Sequence, residues 1–207
     1  GLNQMPASLK DLRSKIKSVK GTQQITKAMK LVSAAKFGRA QHNVVNSRPY
    51  AHSLAQLTSK IAGVVSGGCN HPLMNESASK VAAVLVISSE RGLCGGYNAN
   101  VTKHAIKTIS ELESEGFKVV TICIGKKALQ TLSRRRKLLT KTKDEAVSVS
   151  ENDYCHDPSV LVSENGLVAI TAHFDKPTNA NATRLSDAFG KLYSDGKIGK
   201  FVVVYNK

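Results

Sequence analysis

The chain has 207 residues, 41% of them apolar. That is long enough for one well-buried domain plus an extension and too hydrophobic for a mostly disordered protein. Thirty Lys and Arg against fifteen Asp and Glu leave a net charge of +15 and a pI near 9.8, which favours acidic partners: nucleic acid, anionic lipid or an acidic protein surface.

The charge is unevenly placed. Residues 1–60 hold eleven of the cations and a single acid, Asp11, for a net +10, and the remainder nets +5. In this stretch Ser8, just after Pro6, is a fair N-cap, and Leu9, Leu12, Ile16 and Val19 follow at spacings of 3, 4 and 3, the seam of a heptad repeat. The seam weakens at Gln23 and Thr26 and resumes through Ile25, Met29 and Val32; Leu54, Leu57, Ile61 and Val64 or Val65 extend it beyond Pro49 to the breaker "SGGCNHP". Helical throughout, residues 8–65 reach roughly 80 to 90 Å at about 1.5 Å per residue. The alternative is two shorter helices bent near Arg48 and Pro49. A stripe of two or three apolar residues per heptad, flanked by lysines, suits a protruding coiled-coil helix better than a core helix.

From Lys80 the pattern changes to that of an α/β body. Val81 to Ile87 is a continuous apolar run of the kind buried in a parallel sheet; a glycine-rich turn and an amphipathic helix, Asn98 to Glu115, follow. Strands at Phe117 to Ile124, Leu167 to Ala172 and Phe201 to Tyr205, with a helix near Ala182 to Tyr193, complete the alternation. The polar segment Arg134 to Asn165, between "RRRK" and "SENDYCHDPS", resists this reading and is expected to be an excursion or flexible insert.

Chemistry-bearing motifs are sparse. "SERGLCGGYN" lies on a strand-to-helix turn where backbone amides can face an anion, but it spells neither G-x-x-x-x-G-K-[ST] nor G-x-G-x-x-G, so a tight turn is the preferred reading. There is no G-x-S-x-G and no H-E-x-x-H, and the six histidines are scattered. Cys69, Cys94, Cys123 and Cys155 form no C-x-x-C pair; Cys69 with His71 and Cys155 with His156 are half-sites, so neither metal nor cofactor is expected. The "SRRRK" run at 133–137 and the acidic "ELESEG" read as solvated helix ends. No apolar run approaches the ~20 residues of a membrane span, so a soluble or peripheral chain is expected, and a first residue Gly points to a processed precursor or a trimmed chain. Three function classes stand at this point: a helical shaft with a protein partner, a basic nucleic-acid binder with a helical arm, and a nucleotide-using enzyme built on the "RGLCGG" turn.

Four segments carry a resemblance: "LRSKIKSVKGTQQITKAMKLVSAAKFGRAQ", "SRPYAHSL", "SSERGLCGGYNANV" and "SDGKIGKFVVVYNK". In this order they closely resemble the gamma subunit of F-type ATP synthases, over about residues 8–128 and 166–207. The resemblance implies a long N-terminal coiled-coil helix, residues 1–68, and a Rossmann-like α/β body with a mostly parallel sheet, residues 69–207, carrying a polar insertion at about 140–165. It implies a non-catalytic central-stalk rotor that couples proton-driven rotation to ATP synthesis. Its partners would be the alpha and beta subunits of the catalytic ring, an epsilon or delta-type stalk subunit and the membrane c-ring, without nucleic acid, cofactor, metal or direct membrane insertion.

Residue by residue, the resemblance puts Leu12, Ile16 and Val19 on the coiled-coil seam. It puts Ile25, Lys27, Met29, Lys30, Lys36 and Arg39 on the shaft segment that meets the catalytic subunits, with the lysines facing acidic loops. Arg91, Gly92, Leu93, Cys94, Gly95 and Gly96 match the loop of the foot near the membrane ring and the small stalk subunit. Two departures accompany it. The chain ends where the family continues into its C-terminal helix, and Cys155 stands alone where the redox-regulated chloroplast form carries a close cysteine pair. Basic charge and the non-Met start lean towards a mitochondrial inner membrane, matrix side, over a bacterial plasma or thylakoid membrane.

Overall fold

The computed structural model describes residues 8–65, 71–140, 146–164, 166–170 and 178–206. By its internal contacts the chain divides into two units, Gly1–Gly68 and Cys69–Lys207.

The first unit is one helix, α1, Leu9–Val65. Ser8 starts it: its carbonyl accepts from Leu12 N at 3.0 Å and its hydroxyl from Lys10 N at 3.2 Å, satisfying one of the free amides of the first turn. The helix runs through Pro49 without dividing. A proline there removes one i to i−4 bond, but the turns on both sides are intact, so the bent pair of helices is not formed. From Leu9 to Val64 every side chain is exposed, and only Gly21 is half-buried.

The second unit is a doubly wound α/β body. Strands β1 (Val81–Ile87), β2 (Lys118–Ile124), β3 (Val147–Val149), β4 (Leu167–Ile170) and β5 (Lys200–Val204) form one sheet in the order β3-β4-β2-β1-β5. Every pairing is parallel; Val84 faces Thr121 on one side and Val202 on the other. Helices α2 (Tyr97–Ser114) and α3 (Lys126–Thr140) supply one layer, and α4 (Glu151–His156) and α5 (Asn179–Ser194) supply the other.

A strand buried on both faces reads as an unbroken apolar run because its alternate side chains enter different cores. In β1, Ala82, Val84 and Val86 pack with Val101, Ala105, Ala128 and Leu132 of α2 and α3. Ala83 and Leu85 pack with Leu185, Phe189 and Leu192 of α5 and with Tyr154 of α4. At about 25 cal/mol per Å² of apolar surface removed from water, these two clusters are the main stabilising force of the body.

The polar segment behaves differently from its expectation. Arg134 to Thr140 continue α3, and β3 pairs with β4 as an edge strand. Ser150 and Asp153 then form a capping box at the start of α4. Val149, Tyr154 and Leu161 are buried in the core. Residues 146–164 are thus an ordered part of the body, held by a few apolar anchors among polar residues that face outward or cap. Residues 141–145 and Asn165 lie outside the described residues, as do Thr171 and Ala172, the expected end of β4. Helix α5 begins at Asn179, earlier than expected, because Thr178 and Asn181 cap it: Asn181 N donates to the Thr178 hydroxyl at 3.3 Å, and Thr178 N to Asn181 Oδ1 at 3.1 Å.

Candidate interaction surfaces

On α1 the seam residues Leu12, Ile16 and Val19 are 45%, 55% and 67% exposed, so the line of apolar side chains is presented to solvent. Continuing the alternating steps of three and four from Leu9, the line passes Gln23, Thr26, Lys30 and Ser33. It then meets Phe37, Ala40 and Val44, and later Leu54 and Ile61. Ile25, Met29 and Val32 do not fall on it. With two turns per heptad they sit roughly a third of a turn around the helix. The seam is therefore interrupted over about three turns by polar and basic side chains, with a separate apolar cluster beside them.

Thr22 and Thr26 turn their hydroxyls inward to the carbonyls of Ser18 and Thr22, at 3.1 and 2.8 Å. That leaves methyl groups and lysine stems as the outer surface here. Lys27, Lys30, Lys36 and Arg39 are all exposed. With Asp11 the single acid of α1 and no ion pair on it among the described residues, their charge is available to an outside partner.

In the body, residues Arg91 to Gly96 form one loop between β1 and α2. Leu93 (φ +60°) and Gly95 (φ +58°) both adopt the left-handed conformation, which costs a leucine about 1 kcal/mol or more. The turn throws Leu93 fully into solvent. Two residues that the motif reading did not single out hold the loop in this shape. Ser89 donates its hydroxyl proton to the Arg91 carbonyl at 2.5 Å and its amide to Asn98 Oδ1 at 3.1 Å. Asn98 Nδ2 lies 3.0 Å from Cys94 Sγ. Their signal in the sequence is weak, since Ser and Asn beside a glycine turn are ordinary loop residues. Tyr97 N donates to the Cys94 carbonyl at 3.3 Å, so this amide at the start of α2 serves the turn.

Burial pushes the Cys123 thiol up to about 12, making it inert, whereas Cys94 and Cys155 are exposed free thiols; Cys69 lies outside the described residues. Arg184 Nη1, 2.6 Å from Glu151 Oε1, holds that carboxyl below its ordinary range, with Asn181 assisting. Among the described residues no three His, Cys, Asp or Glu side chains converge as metal ligands, and no helix is long and apolar enough to cross a membrane.

An exposed helical arm with an interrupted apolar seam, joined in sequence to an α/β body, defines a protein built for assembly with others. Comparison with known sequences assigns the family. The profile of the ATP synthase family matches residues 8–207. A gamma chain of ATP synthase from Geobacter metallireducens is 45% identical over 132 residues, 64% of this chain and 46% of that one. One from Gloeothece citriformis is 46% identical over 129 residues, 62% of this chain and 41% of that one. One from a Cyanothece species is 35% identical over 202 residues, 97% of this chain and 56% of that one. The chain belongs to the gamma-subunit family of F-type ATP synthases, and it spans about half the length of the curated relatives it matches.

Proposed function

We propose that the chain acts in the central stalk of an F-type ATP synthase, as a non-catalytic rotor part that couples proton-driven rotation to ATP synthesis in the ring of alpha and beta subunits. The observation that carries this reading is the 57-residue helix whose apolar seam, interrupted between Gln23 and Ser33, is exposed on both sides of that break. Such a helix gains its stability from a partner, because an isolated helix in water is marginal.

In this reading Leu12, Ile16 and Val19 pack against a second shaft helix. Ile25, Lys27, Met29 and Lys30, where the seam is interrupted, and Lys36 and Arg39, just beyond it, meet acidic surfaces of the catalytic subunits. The loop Arg91 to Gly96 contacts an epsilon or delta-type stalk subunit and the c-ring. One asymmetric shaft presents a different face to each of its neighbours, so each is biased to a different conformation and turning the shaft cycles their nucleotide affinities. The complex is peripheral on an energy-coupling membrane. A mitochondrial inner membrane is the location favoured by the basic charge; the named relatives come from bacteria and cyanobacteria, which makes a plasma or thylakoid membrane the alternative.

Native mass spectrometry of the gently purified complex tests the assignment. The expected result is this chain in an assembly with three alpha and three beta subunits. Its recovery alone, or bound to nucleic acid, would overturn it.

A further inference from the structure

A groove with apolar walls runs along the body between α2 and α3, and its cations are concentrated at one end. Near the helix starts it is a cavity of about 550 Å³ bordered by Lys103 of α2 and by Lys127 and Arg135 of α3. Farther along, a cavity of about 400 Å³ is lined largely by apolar side chains, among them Ile109, Val119 and Leu132. Ile106 and Arg135 line both cavities, so the two are continuous.

The cations at the first end have no carboxylate partner among the described residues. The acids of the neighbouring elements are engaged elsewhere: Glu90 with Lys126 at 3.4 Å and Glu111 with Lys107 at 3.6 Å. Glu113 borders the apolar end and forms no ion pair with Arg135. The Arg91 to Gly96 loop adjoins the basic end, since a Cβ at Gly92 would sit 3.8 Å from Lys127 Cε.

We propose that this groove docks a protein segment that is acidic at one end and apolar at the other. Charge complementarity selects the acidic end. Lys127 and Arg135 are eight residues apart on one helix, about 12 Å along its axis; a single phosphate cannot bridge that distance, but an extended or helical segment can. The far end favours an apolar occupant over a bare polyanion, because Ile106, Ile109 and Val119 are only half-buried there and a nucleic-acid backbone offers their open faces no apolar contact. The inference does not rest on the stalk reading, since it concerns the body unit alone.

The test uses the full chain and a short fluorescein-labelled peptide with glutamates at one end and leucines at i, i+3 and i+4 at the other. Fluorescence anisotropy at physiological ionic strength should show saturable binding. Binding should weaken by about tenfold or more in the triple variant Lys103→Glu, Lys127→Glu, Arg135→Glu, and by less than about twofold in the equally charged control Lys10→Glu, Lys17→Glu, Lys20→Glu on α1. A peptide with the leucines replaced by serine should also bind about tenfold more weakly. Equal weakening in both triple variants would overturn the proposal, as would undiminished binding of the serine peptide. Displacement of the peptide by inorganic phosphate or polyuridylate at matched ionic strength would overturn it in favour of an anion or nucleic-acid site. Photo-crosslinking of a benzophenone-labelled peptide to the unsubstituted chain gives an answer independent of how the variants fold: crosslinks should map to α2 and α3, and crosslinks confined to α1 would overturn the proposal.

Discussion

Gly125 stands where β2 ends and α3 begins, with φ +97°, and a Cβ there would lie 2.4 Å from the Ser88 carbonyl oxygen. The closeness has a purpose. Ser88 N donates to the Ile124 carbonyl at 2.8 Å, and the Ser88 hydroxyl accepts from Ala128 N at 3.0 Å, so this serine at the end of β1 caps α3. Gly125→Ala should therefore cost roughly 3 kcal/mol or more through backbone strain and the clash together, measured as a fall in the urea midpoint. Tyr154 gives the opposite case. Its ring is fully buried, yet its hydroxyl has no hydrogen-bond partner among the described residues, and burial raises its pKa. Tyr154→Phe removes that unsatisfied group without changing the packing and should leave the body as stable or up to about 1 kcal/mol more stable in the same assay. Neither environment is visible in the sequence: Gly125 looks like any helix-start glycine and Tyr154 like a residue of a polar loop.

At the scale of elements, the segment from β3 to α5 is held by local polar contacts as much as by burial. Arg184 of α5, assisted by Asn181, lowers the Glu151 carboxyl from its ordinary 4.5. The Ser150 hydroxyl and amide lower Asp153, and those of Ser159 lower Asp157, each from 3.8. All three folded-state values are depressed, so their stabilisation is present above the ordinary carboxylate range and is lost as pH falls through the lowered values. The body should therefore lose stability progressively as pH falls below about 4.5. Arg184→Met should be less stable than the parent at neutral pH, and the difference should shrink towards zero as pH falls through that window, as read by denaturant titrations at several pH values. A gap that stayed constant would mean that Arg184 acts through packing alone. The caps also explain why this segment was illegible in the sequence. Ser, Asp and Asn serve loops and helix starts alike, and only a parallel neighbour, β4, makes a three-residue run such as Val147 to Val149 a strand.

For the whole molecule, the two units divide the labour in a way their charge already separates, with +10 of the +15 lying in residues 1–60. A core helix loses stability when its apolar face is made polar, whereas α1 exposes that face and loses only partners. Leu12→Asp with Ile16→Asp should consequently leave the denaturant midpoint of the body within about 0.5 kcal/mol of the parent while abolishing assembly with the catalytic ring or uncoupling proton flow from ATP synthesis. Met29→Lys, beside the interruption of the seam, should uncouple in the same way. Unchanged coupling in both variants would sink the shaft role. A body destabilised by several kcal/mol would show that the seam packs inside this chain.

By itself the sequence determined the elements whose signal is local and repetitive. Steps of three and four mark Leu9 to Val65 as helical, with a break near Pro49 left open until the structure showed one helix, and unbroken apolar runs make β1 and β2 buried strands. The segments around "ITKAMKLVSAAK" and "RGLCGGYN" carried the family. Tertiary structure decided what depends on residues distant in the chain. It placed β3 at the sheet edge, because a run of only three residues becomes a strand only when β4 offers its hydrogen bonds. It set Leu93 outward through Ser89 and Asn98, whose roles arise only once the turn has closed. It also opened the groove between α2 and α3, because two helices meet there only after both have packed onto the same sheet.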